Sequence, residues 1–207
     1  MNMLLTGGTG LIGSVIKTEL ERQGHGVINL ARGKMELFIK GKFDGLGNVD
    51  TFIHCARDRK YLESASRENW VGEYIVDVVA AYEISMMLNE LCPSLKNIIL
   101  ISSAYGIRPA NPKISNSPIH YGVAKAAQIH LAKELAVRLA PKVRANCISY
   151  GGVESDRNTE EFKQQYSKNV PLGRMATTND LFHAVEYILN NDYITGQNLV
   201  VDGGMTI

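Results

Sequence analysis

The chain has 207 residues, 45% hydrophobic and 21% charged, and its 22 Lys and Arg nearly balance its 21 Asp and Glu, for a net charge of +1. This composition excludes a disordered or fibrous protein and predicts one globular domain spanning 1–207. The balanced charge favours neither a nucleic-acid nor an anionic-membrane partner, and no apolar stretch reaches the roughly 20 residues of a membrane span.

The alternation of apolar runs and helical periodicities predicts an α/β protein. Strands are predicted at 2–5, 27–30, 36–39 (weak), 51–55, 97–102, 143–148 and 198–201, and helices at 11–23, 68–91, 120–139 and 179–189. Strand and helix in turn predict a doubly wound parallel sheet of the Rossmann-like type. Only about 20 residues separate the second strand from the one at 51–55, so we expect a helix there to be missing or reduced to a turn.

The three cysteines, at positions 55, 92 and 147, lie far apart in the sequence. A zinc site needs Cys or His pairs at short spacing, so no metal site is predicted. The first residues carry neither the basic region nor the small-residue cleavage site of a signal peptide. We therefore expect reduced, buried cysteines and a cytoplasmic protein.

A glycine-rich turn follows the first predicted strand and opens the first predicted helix. Gly7, Gly10 and Gly13 have the spacing that allows a tight turn, close approach of a pyrophosphate, and close packing of helix on strand. Free N–H groups at a helix N-terminus attract phosphate. The sequence therefore predicts a dinucleotide site, to which the intervening Thr9, Leu11 and Ile12 also contribute.

The end of the second predicted strand bears on the choice of dinucleotide. Where an acidic residue would hold the ribose 2′-hydroxyl of NAD, the chain has Ala31, followed by Arg32. A guanidinium can make two hydrogen bonds to a 2′-phosphate, which a carboxylate would repel. NADP(H) is therefore the preferred cofactor and NAD(H) remains possible. The alternative is that Arg32 is an ordinary solvated loop residue.

A tyrosine and a lysine lie one turn apart at the start of a long predicted helix. Tyr121 and Lys125 share one helix face, and a nearby ammonium stabilises a phenolate, which suits Tyr121 to proton exchange. A Y-x-x-x-K pair occurs by chance in many chains. Here, however, it follows a strand that ends in Ser102 and Ser103, which favours a catalytic group.

With these motifs the chain resembles the single-domain branch of the short-chain dehydrogenase/reductase family. The resemblance is carried by TGGTGLIG, IILISSAYG, YGVAK, VRANCISYGGV, PLGR and ITGQNLVVDGG. It implies that Ser103 hydrogen-bonds the substrate oxygen and that Tyr121 is the acid/base. Lys125 would also hold the nicotinamide ribose, and Ser155 would bond the nicotinamide carboxamide. Other cofactor contacts implied are Asp44, Cys55, Ala56, Gly151 and Val153.

The chain also departs from the pattern of this family. The glycine turn has the form more usual in the two-domain branch, and Tyr150 stands where proline is usual. Asp77 occupies the place of the catalytic asparagine, where an acid could pair with Lys125 or interrupt proton transfer. Arg57 stands where a glycine lets the cofactor approach.

The resemblance further suggests a substrate and a partner. The stretches YGVAKAAQIHLAKELA and NCISYGGVES resemble reductases of bacterial surface-sugar or flagellin-glycan synthesis, which implies a sugar or nucleotide-sugar ketone. The loop residues Asn111, Lys113, Ser115 and Asn116 are candidates to bind such a polyol. The two long helices would pack against their copies in a homodimer or homotetramer. The alternatives are a non-enzymatic NADP(H)-binding module, or an epimerase or dehydratase with tightly held NAD.

Overall fold

The computed structural model describes residues 1–30, 47–57, 66–112 and 117–207, and within them six parallel strands form one sheet. The strands are β1 (Asn2–Thr6), β2 (Gly26–Leu30), β3 (Thr51–His54), β4 (Asn97–Ser103), β5 (Arg144–Tyr150) and β6 (Asn198–Val201). Their order is β2-β1-β3-β4-β5-β6, and every neighbouring pair is parallel. This confirms the predicted doubly wound α/β fold.

Helices cover both faces of the sheet. They are α1 (Leu11–Arg22), α2 (Arg67–Tyr74), α3 (Ala80–Leu91), α4 (Ile119–Leu139), α5 (Glu160–Ser167) and α6 (Thr178–Asn190). Alternate strand residues point to opposite faces, so Ile98 and Leu100 of β4 pack with α3 and α4, whereas Ile99 and Ile101 pack with α1 and α6. A strand that is buried on both faces has a continuous apolar sequence, and for this reason β4 could be predicted from the sequence.

The long helix predicted at 68–91 is present but not uniform. A π-helical turn, Ile75–Val79, joins α2 to α3. Such a turn inserts an extra residue into the helix and is frequent at functional sites. Its middle residue, Asp77, is buried.

Two differences separate the predicted elements from the structure. Helix α5 was not predicted, because its sequence EEFKQQYS is mostly polar; Thr159 caps it and only Tyr166 is buried. The weak strand predicted at 36–39, and most of the segment expected to lack a helix, lie outside the described residues.

Because all six strands are parallel, their carboxyl ends lie along the same edge of the sheet. The chain leaves β1 for β2 on one side and returns to β3 on the other, which makes a topological switch point between β1 and β3. Ligands of open α/β sheets bind outside the carboxyl ends of the strands at such a point. Thr6, His54 and Ser103 end their strands at this edge.

The described residues contain neither a membrane-spanning helix nor a metal-binding cluster. None of the helices there is both long and apolar enough to cross a membrane. Within the same ranges, no group of three or more His, Cys, Asp or Glu side chains is arranged to hold a metal ion.

Candidate active site

The glycine turn between β1 and α1 tolerates no larger residue at two of its positions. Gly7 has φ +72°, and a Cβ there would lie 2.5 Å from the Cys55 carbonyl oxygen. A Cβ on Gly13 would lie 2.2 Å from the Gly7 carbonyl oxygen. Helix α1 begins after Gly10 with no side-chain cap and no acidic residue in its first turn. Its N-terminus is therefore suited to a phosphate.

Two side chains that the sequence analysis did not single out hold this turn in place. The Gly8 N–H donates to Asn29 Oδ1 at 3.1 Å, which ties the turn to the last residues of β2. The Thr6 hydroxyl oxygen accepts from the N–H groups of Cys55 at 3.2 Å and Ala56 at 3.3 Å. The predicted cofactor residues after β3 are thereby fixed against the end of β1.

His54 is a buried connector between the turn and the π-helical segment. Its Nε2 lies 3.0 Å from the Val76 carbonyl oxygen, which can only accept, so Nε2 carries the proton. Nδ1 then accepts from the Thr6 hydroxyl at 3.0 Å. Burial, together with the charge of Lys125, lowers the pKa of His54 to about 3, so the ring is neutral at physiological pH.

The structure brings Ser103, Tyr121 and Lys125 to the same edge of the sheet. Ser103 ends β4, and its hydroxyl oxygen accepts from the Tyr105 N–H at 3.2 Å, which leaves its own proton available to donate. Tyr121 and Lys125 lie one turn apart on α4, with Lys125 Nζ 5.7 Å from the centre of the Tyr121 ring.

Two glycines allow the segment after β4 to approach α4 this closely. A Cβ on Gly106 would lie 2.7 Å from the Lys125 carbonyl carbon, and one on Gly122 would lie 2.9 Å from the Tyr105 carbonyl oxygen. The 3-10 turn Ala104–Gly106 therefore packs on the backbone of α4. This explains the glycine between the tyrosine and lysine of the YGVAK motif.

The Lys125 ammonium has three partners within the protein, one ion pair and two hydrogen bonds. Nζ lies 2.8 Å from Asp77 Oδ2 and donates to Ile101 O at 3.1 Å and Gln128 Oε1 at 2.9 Å. Gln128 in turn donates from Nε2 to Asp77 O at 2.7 Å. An ammonium has three N–H groups, and the hydrogen bonds to Ile101 O and Gln128 Oε1 use two of them. Burial lowers the pKa of Lys125, but Asp77 and Tyr121 outweigh it, and the pKa is raised.

Arg57 makes a second ion pair beside Tyr121. Its guanidinium carbon lies 3.8 Å from the centre of the Tyr121 ring, and its Nε donates to Glu73 Oε1 at 3.0 Å. The Glu73 carboxylate is almost completely buried, whereas Arg57 is about one quarter exposed. Burial and the nearby Asp77 raise the pKa of Glu73. Arg57 therefore covers the ring where the family resemblance led us to expect a glycine.

The loop after β5 is held by contacts within the protein. A Cβ on Gly151 would lie 2.8 Å from the Asp202 Cα, and Val153 forms a bridge with Ala176. The hydroxyl of Ser155 donates to Asn158 Oδ1 at 2.9 Å, so its own oxygen is left to accept from a carboxamide. This loop thus remains compatible with the predicted cofactor contacts.

Tyr150, which replaces the usual proline before this loop, is a core residue. Its ring belongs to the apolar cluster beneath α1 and α6, and its hydroxyl donates to the Leu181 carbonyl oxygen. Burial raises the pKa of Tyr150, which keeps the phenol protonated. The substitution therefore changes packing rather than the reacting groups.

Several predicted site residues fall outside the described residues. They are Ala31 and Arg32 at the proposed 2′-phosphate, Asp44 at the adenine, and Lys113, Ser115 and Asn116 of the candidate polyol loop. Thr9 is described and exposed on the glycine turn.

Besides Thr6, three residues of the site were missed by sequence reasoning. Glu73 lies four positions before Asp77 on the same helical segment, and Gln128 lies three positions after Lys125 on the same face of α4. These spacings were the available signal. The third is Asn29, for which a polar residue inside an otherwise apolar strand was the signal.

A cleft of about 510 Å³ lies on the other side of α4 from Tyr121. Val123 and Ala126 line it and lie roughly 200° and 140° around the helix from Tyr121 at about 100° per residue. Its other described lining residues come from the loop after β4 and the start of α4, namely Tyr105, Gly106, Ile107, Arg108, Pro109, Ala110, Pro112, Ser117, Pro118, Ile119 and Gly122. The cleft thus faces a different side of α4 from Tyr121, and Tyr105, whose ring contacts that of Tyr121, lies between the two.

Comparison with known proteins gives a consistent assignment. A family model described as enoyl-(acyl carrier protein) reductase matches residues 31–206. A 3-oxoacyl-[acyl-carrier-protein] reductase of Chlamydia muridarum is 32% identical over 170 residues, which cover 77% of this chain and 66% of the relative. Tropinone reductase-like 3 of Erythroxylum coca is 34% identical over 129 residues, 58% of this chain and 48% of the relative. The chain thus spans less than two thirds of either relative.

Solved structures agree over the full length. A short chain dehydrogenase of Leptospira borgpetersenii with bound NAD+ is 29% identical, with a TM-score of 0.87, and the match covers 100% of this chain and 92% of that one. A small-chain dehydrogenase in complex with NADPH has a TM-score of 0.84 at 21% identity, covering 100% and 98% of the two chains. At that identity the second match supports the fold alone.

Proposed function

The chain belongs to the short-chain dehydrogenase/reductase family, and we propose on this basis that it is an NADP(H)-dependent oxidoreductase that interconverts a ketone and a secondary alcohol. The observation that carries the proposal is that Ser103 ends β4, that Tyr121 and Lys125 lie near the start of α4, and that the turn after β4 packs on this part of α4. The carboxyl edge of the sheet also holds a glycine turn followed by a helix N-terminus without a side-chain cap. The groups needed for proton transfer and for phosphate binding therefore adjoin.

The residues of this edge fit a nicotinamide dinucleotide. The first turn of α1, with Gly10, Leu11 and Ile12, would hold the pyrophosphate, and the residues after β3 and β5 would flank the rest of the cofactor. When bound, the nicotinamide would supply or accept a hydride. Ser103 would donate a hydrogen bond to the substrate oxygen, and Tyr121 would give a proton to that oxygen or take one from it.

NADP(H) is the proposed cofactor because Ala31 leaves no carboxylate at the ribose and Arg32 can bind a 2′-phosphate. Asp44 is proposed to reach the adenine. The test is a titration of the purified chain with NADPH and with NADH, followed by nicotinamide fluorescence, and repeated with Arg32→Ala. We expect tighter binding of NADPH, lost in the variant. Equal affinities of the unaltered chain for both nucleotides would remove Arg32 from this role.

The proposed substrate is a sugar or nucleotide-sugar ketone, which rests on the motif resemblance and on polar loop residues such as Asn111. A second candidate, a 3-oxoacyl thioester, is favoured by the similarity to the 3-oxoacyl-[acyl-carrier-protein] reductase of Chlamydia muridarum. Oxidation of NADPH, followed at fixed enzyme concentration with a nucleotide-linked ketosugar and with a 3-oxoacyl thioester, separates the two. Tyr121→Phe is the control, because it keeps the ring and removes the proton donor. Turnover that survives Tyr121→Phe would contradict the proposed role of Tyr121.

A non-enzymatic NADP(H)-binding module is the alternative function. It is favoured by the Arg57 guanidinium over the Tyr121 ring and by the three internal partners of the Lys125 ammonium. Both functions predict nucleotide binding, so turnover discriminates between them. Binding of NADPH without oxidation in the presence of a broad panel of ketones would favour the module.

Domain organisation, assembly and location are proposed from the same resemblance. We propose that 1–207 forms one NAD(P)-binding domain in the cytoplasm and that the chain assembles as a homodimer or homotetramer. Exposed apolar side chains on the helices implicated in assembly support this, namely Val71, Tyr82, Ile119, Val123 and Val137. Light scattering of the purified chain measures the assembly, and a monomer at micromolar concentration would contradict it.

A further inference from the structure

Two ion pairs that differ in the burial of their cations lie beside the Tyr121 ring. The pair of Lys125 with Asp77 is buried on both sides, and the ammonium also donates to Ile101 O and Gln128 Oε1. The pair of Arg57 with Glu73 is buried only at the carboxylate, and the guanidinium lies over the Tyr121 ring with Cζ 3.8 Å from the ring centre. The second pair thus places its cation closer to the ring than the first, whose Nζ lies 5.7 Å from the ring centre.

The distance to the ring favours Arg57 as the stronger influence on Tyr121. Lys125 Nζ is 5.7 Å from the ring centre, against 3.8 Å for the Arg57 carbon. Each cation has a carboxylate partner, Asp77 at 2.8 Å from Lys125 and Glu73 at 3.0 Å from Arg57, so both charges are partly offset. Because the interaction energy of two charges falls with distance, the shorter distance to the ring makes Arg57 the stronger influence.

We propose that Arg57, held by Glu73, is a positioning residue that stabilises the phenolate form of Tyr121. The cation that acts most strongly on the acid/base then comes from the end of β3 rather than from α4. This inference rests on the proposed function, in which Tyr121 exchanges a proton with the substrate. A guanidinium stacked on a tyrosine ring also restricts the ring to one orientation.

The charged and titratable surroundings of Tyr121 are contributed by four elements. The end of β3 supplies Arg57 and the neutral His54, and the α2–π segment supplies Glu73 and Asp77. Helix α4 supplies Lys125. The 3-10 turn supplies Tyr105, whose ring centre lies 6.5 Å away in an edge-on contact. Among these described groups, Arg57 is the cation nearest the ring.

The test is a titration of Tyr121 that needs neither substrate nor turnover. The full chain is labelled with 13Cζ-tyrosine, and its NMR signals are followed from pH 6 to pH 12, with Tyr121→Phe identifying the signal of Tyr121. We expect Arg57→Gln to move the titration midpoint of Tyr121 upward by about one pH unit. Glu73→Gln keeps the acceptor for Arg57 and removes the negative charge, so the midpoint should move downward.

A double variant, Lys125→Met with Asp77→Asn, is the matched control because it removes a cation and an anion together. We expect it to shift the midpoint less than Arg57→Gln does. An unchanged midpoint in folded Arg57→Gln, or a larger shift in the double variant, would overturn the proposal. If Arg57→Gln does not fold, as judged by circular dichroism, Arg57→Met keeps an unbranched side chain against the ring and removes the charge, and a midpoint identical to that of the unaltered chain would overturn the proposal.

This experiment separates the inference from the proposed function. A shifted midpoint in a chain that turns over no ketone would support the action of Arg57 on Tyr121 and refute the enzymatic activity. A chain with ketone reductase activity and an unshifted midpoint in Arg57→Gln would keep the activity and refute the inference.

Discussion

Replacing Lys125 with Met tests the contribution of the buried Lys125–Asp77 ion pair to stability. Asp77 is fully buried, and Lys125 is the cation that the described residues place within ion-pair distance of it. Breaking a buried pair from one side typically costs about 3–5 kcal/mol, because the remaining charge stays buried without compensation. Ile101 O and Gln128 Oε1 each lose a donor as well. We expect the free energy of unfolding to fall by at least about 4 kcal/mol, a large part of the 5–15 kcal/mol typical of a domain.

Urea unfolding at pH 8, followed by circular dichroism, measures this loss. Lys17→Met is the matched control, since Lys17 pairs with Glu21 at 3.0 Å on the exposed face of α1 and should change the stability by less than about 1 kcal/mol. Lys125→Met combined with Asp77→Leu should recover most of the loss, because apolar replacement of both partners is often neutral. A single variant no less stable than Lys17→Met, or a double variant as unstable as the single one, would refute the reasoning.

Three further predictions concern the turn and the buried core. The pKa of His54 is lowered from 6.5 to about 3, so between these values the unfolded chain binds a proton that the folded chain does not. The contribution of His54 should therefore lower the free energy of unfolding as the pH drops from 6.5 toward 3, by up to about 1.4 kcal/mol per pH unit. Urea unfolding of His54→Gln over this pH range should lack that contribution. Gly13→Ala should abolish NADPH binding measured by fluorescence, because its Cβ would lie 2.2 Å from the Gly7 carbonyl oxygen, whereas Gly47→Ala, with open space around its Cβ, should bind normally. Burial raises the pKa of Cys147 to about 12, so mass spectrometry should find it unalkylated by iodoacetamide at pH 8 until urea is added.

The parts of the fold that are local in sequence could be predicted. β4 is an unbroken apolar run and α4 is long, so both are evident from periodicity, whereas α5 is polar and depends on Thr159 and on the burial of one tyrosine. The π-helical turn could not be predicted, because nothing in the residues Ile75–Val79 distinguishes it from an ordinary helical turn.

The same distinction between local sequence and tertiary contacts applies to the residues of the candidate site. Ser103, Tyr121 and Lys125 belong to short motifs, and the structure brings them to one edge. The roles of Glu73 and Gln128 depend on which buried groups face them across two helices, and tertiary packing alone determines that. The sequence spacing puts Glu73 on the same helix face as Asp77, and Gln128 on the same face as Lys125. It does not show which groups on other elements these side chains contact.

Hydrogen bonds of the π-helical turn connect the glycine turn to Lys125. A widened turn leaves backbone carbonyls for partners outside the helix, and here the carbonyls of Val76 and Asp77 accept from His54 and Gln128 respectively. His54 continues to the hydroxyl of Thr6 at the start of the glycine turn, and Gln128 continues to Lys125 on α4. A displacement of the glycine turn would thus disturb the hydrogen bonds that orient Lys125. Because the His54 ring is neutral and fixed in one tautomer, this connection transmits position rather than charge.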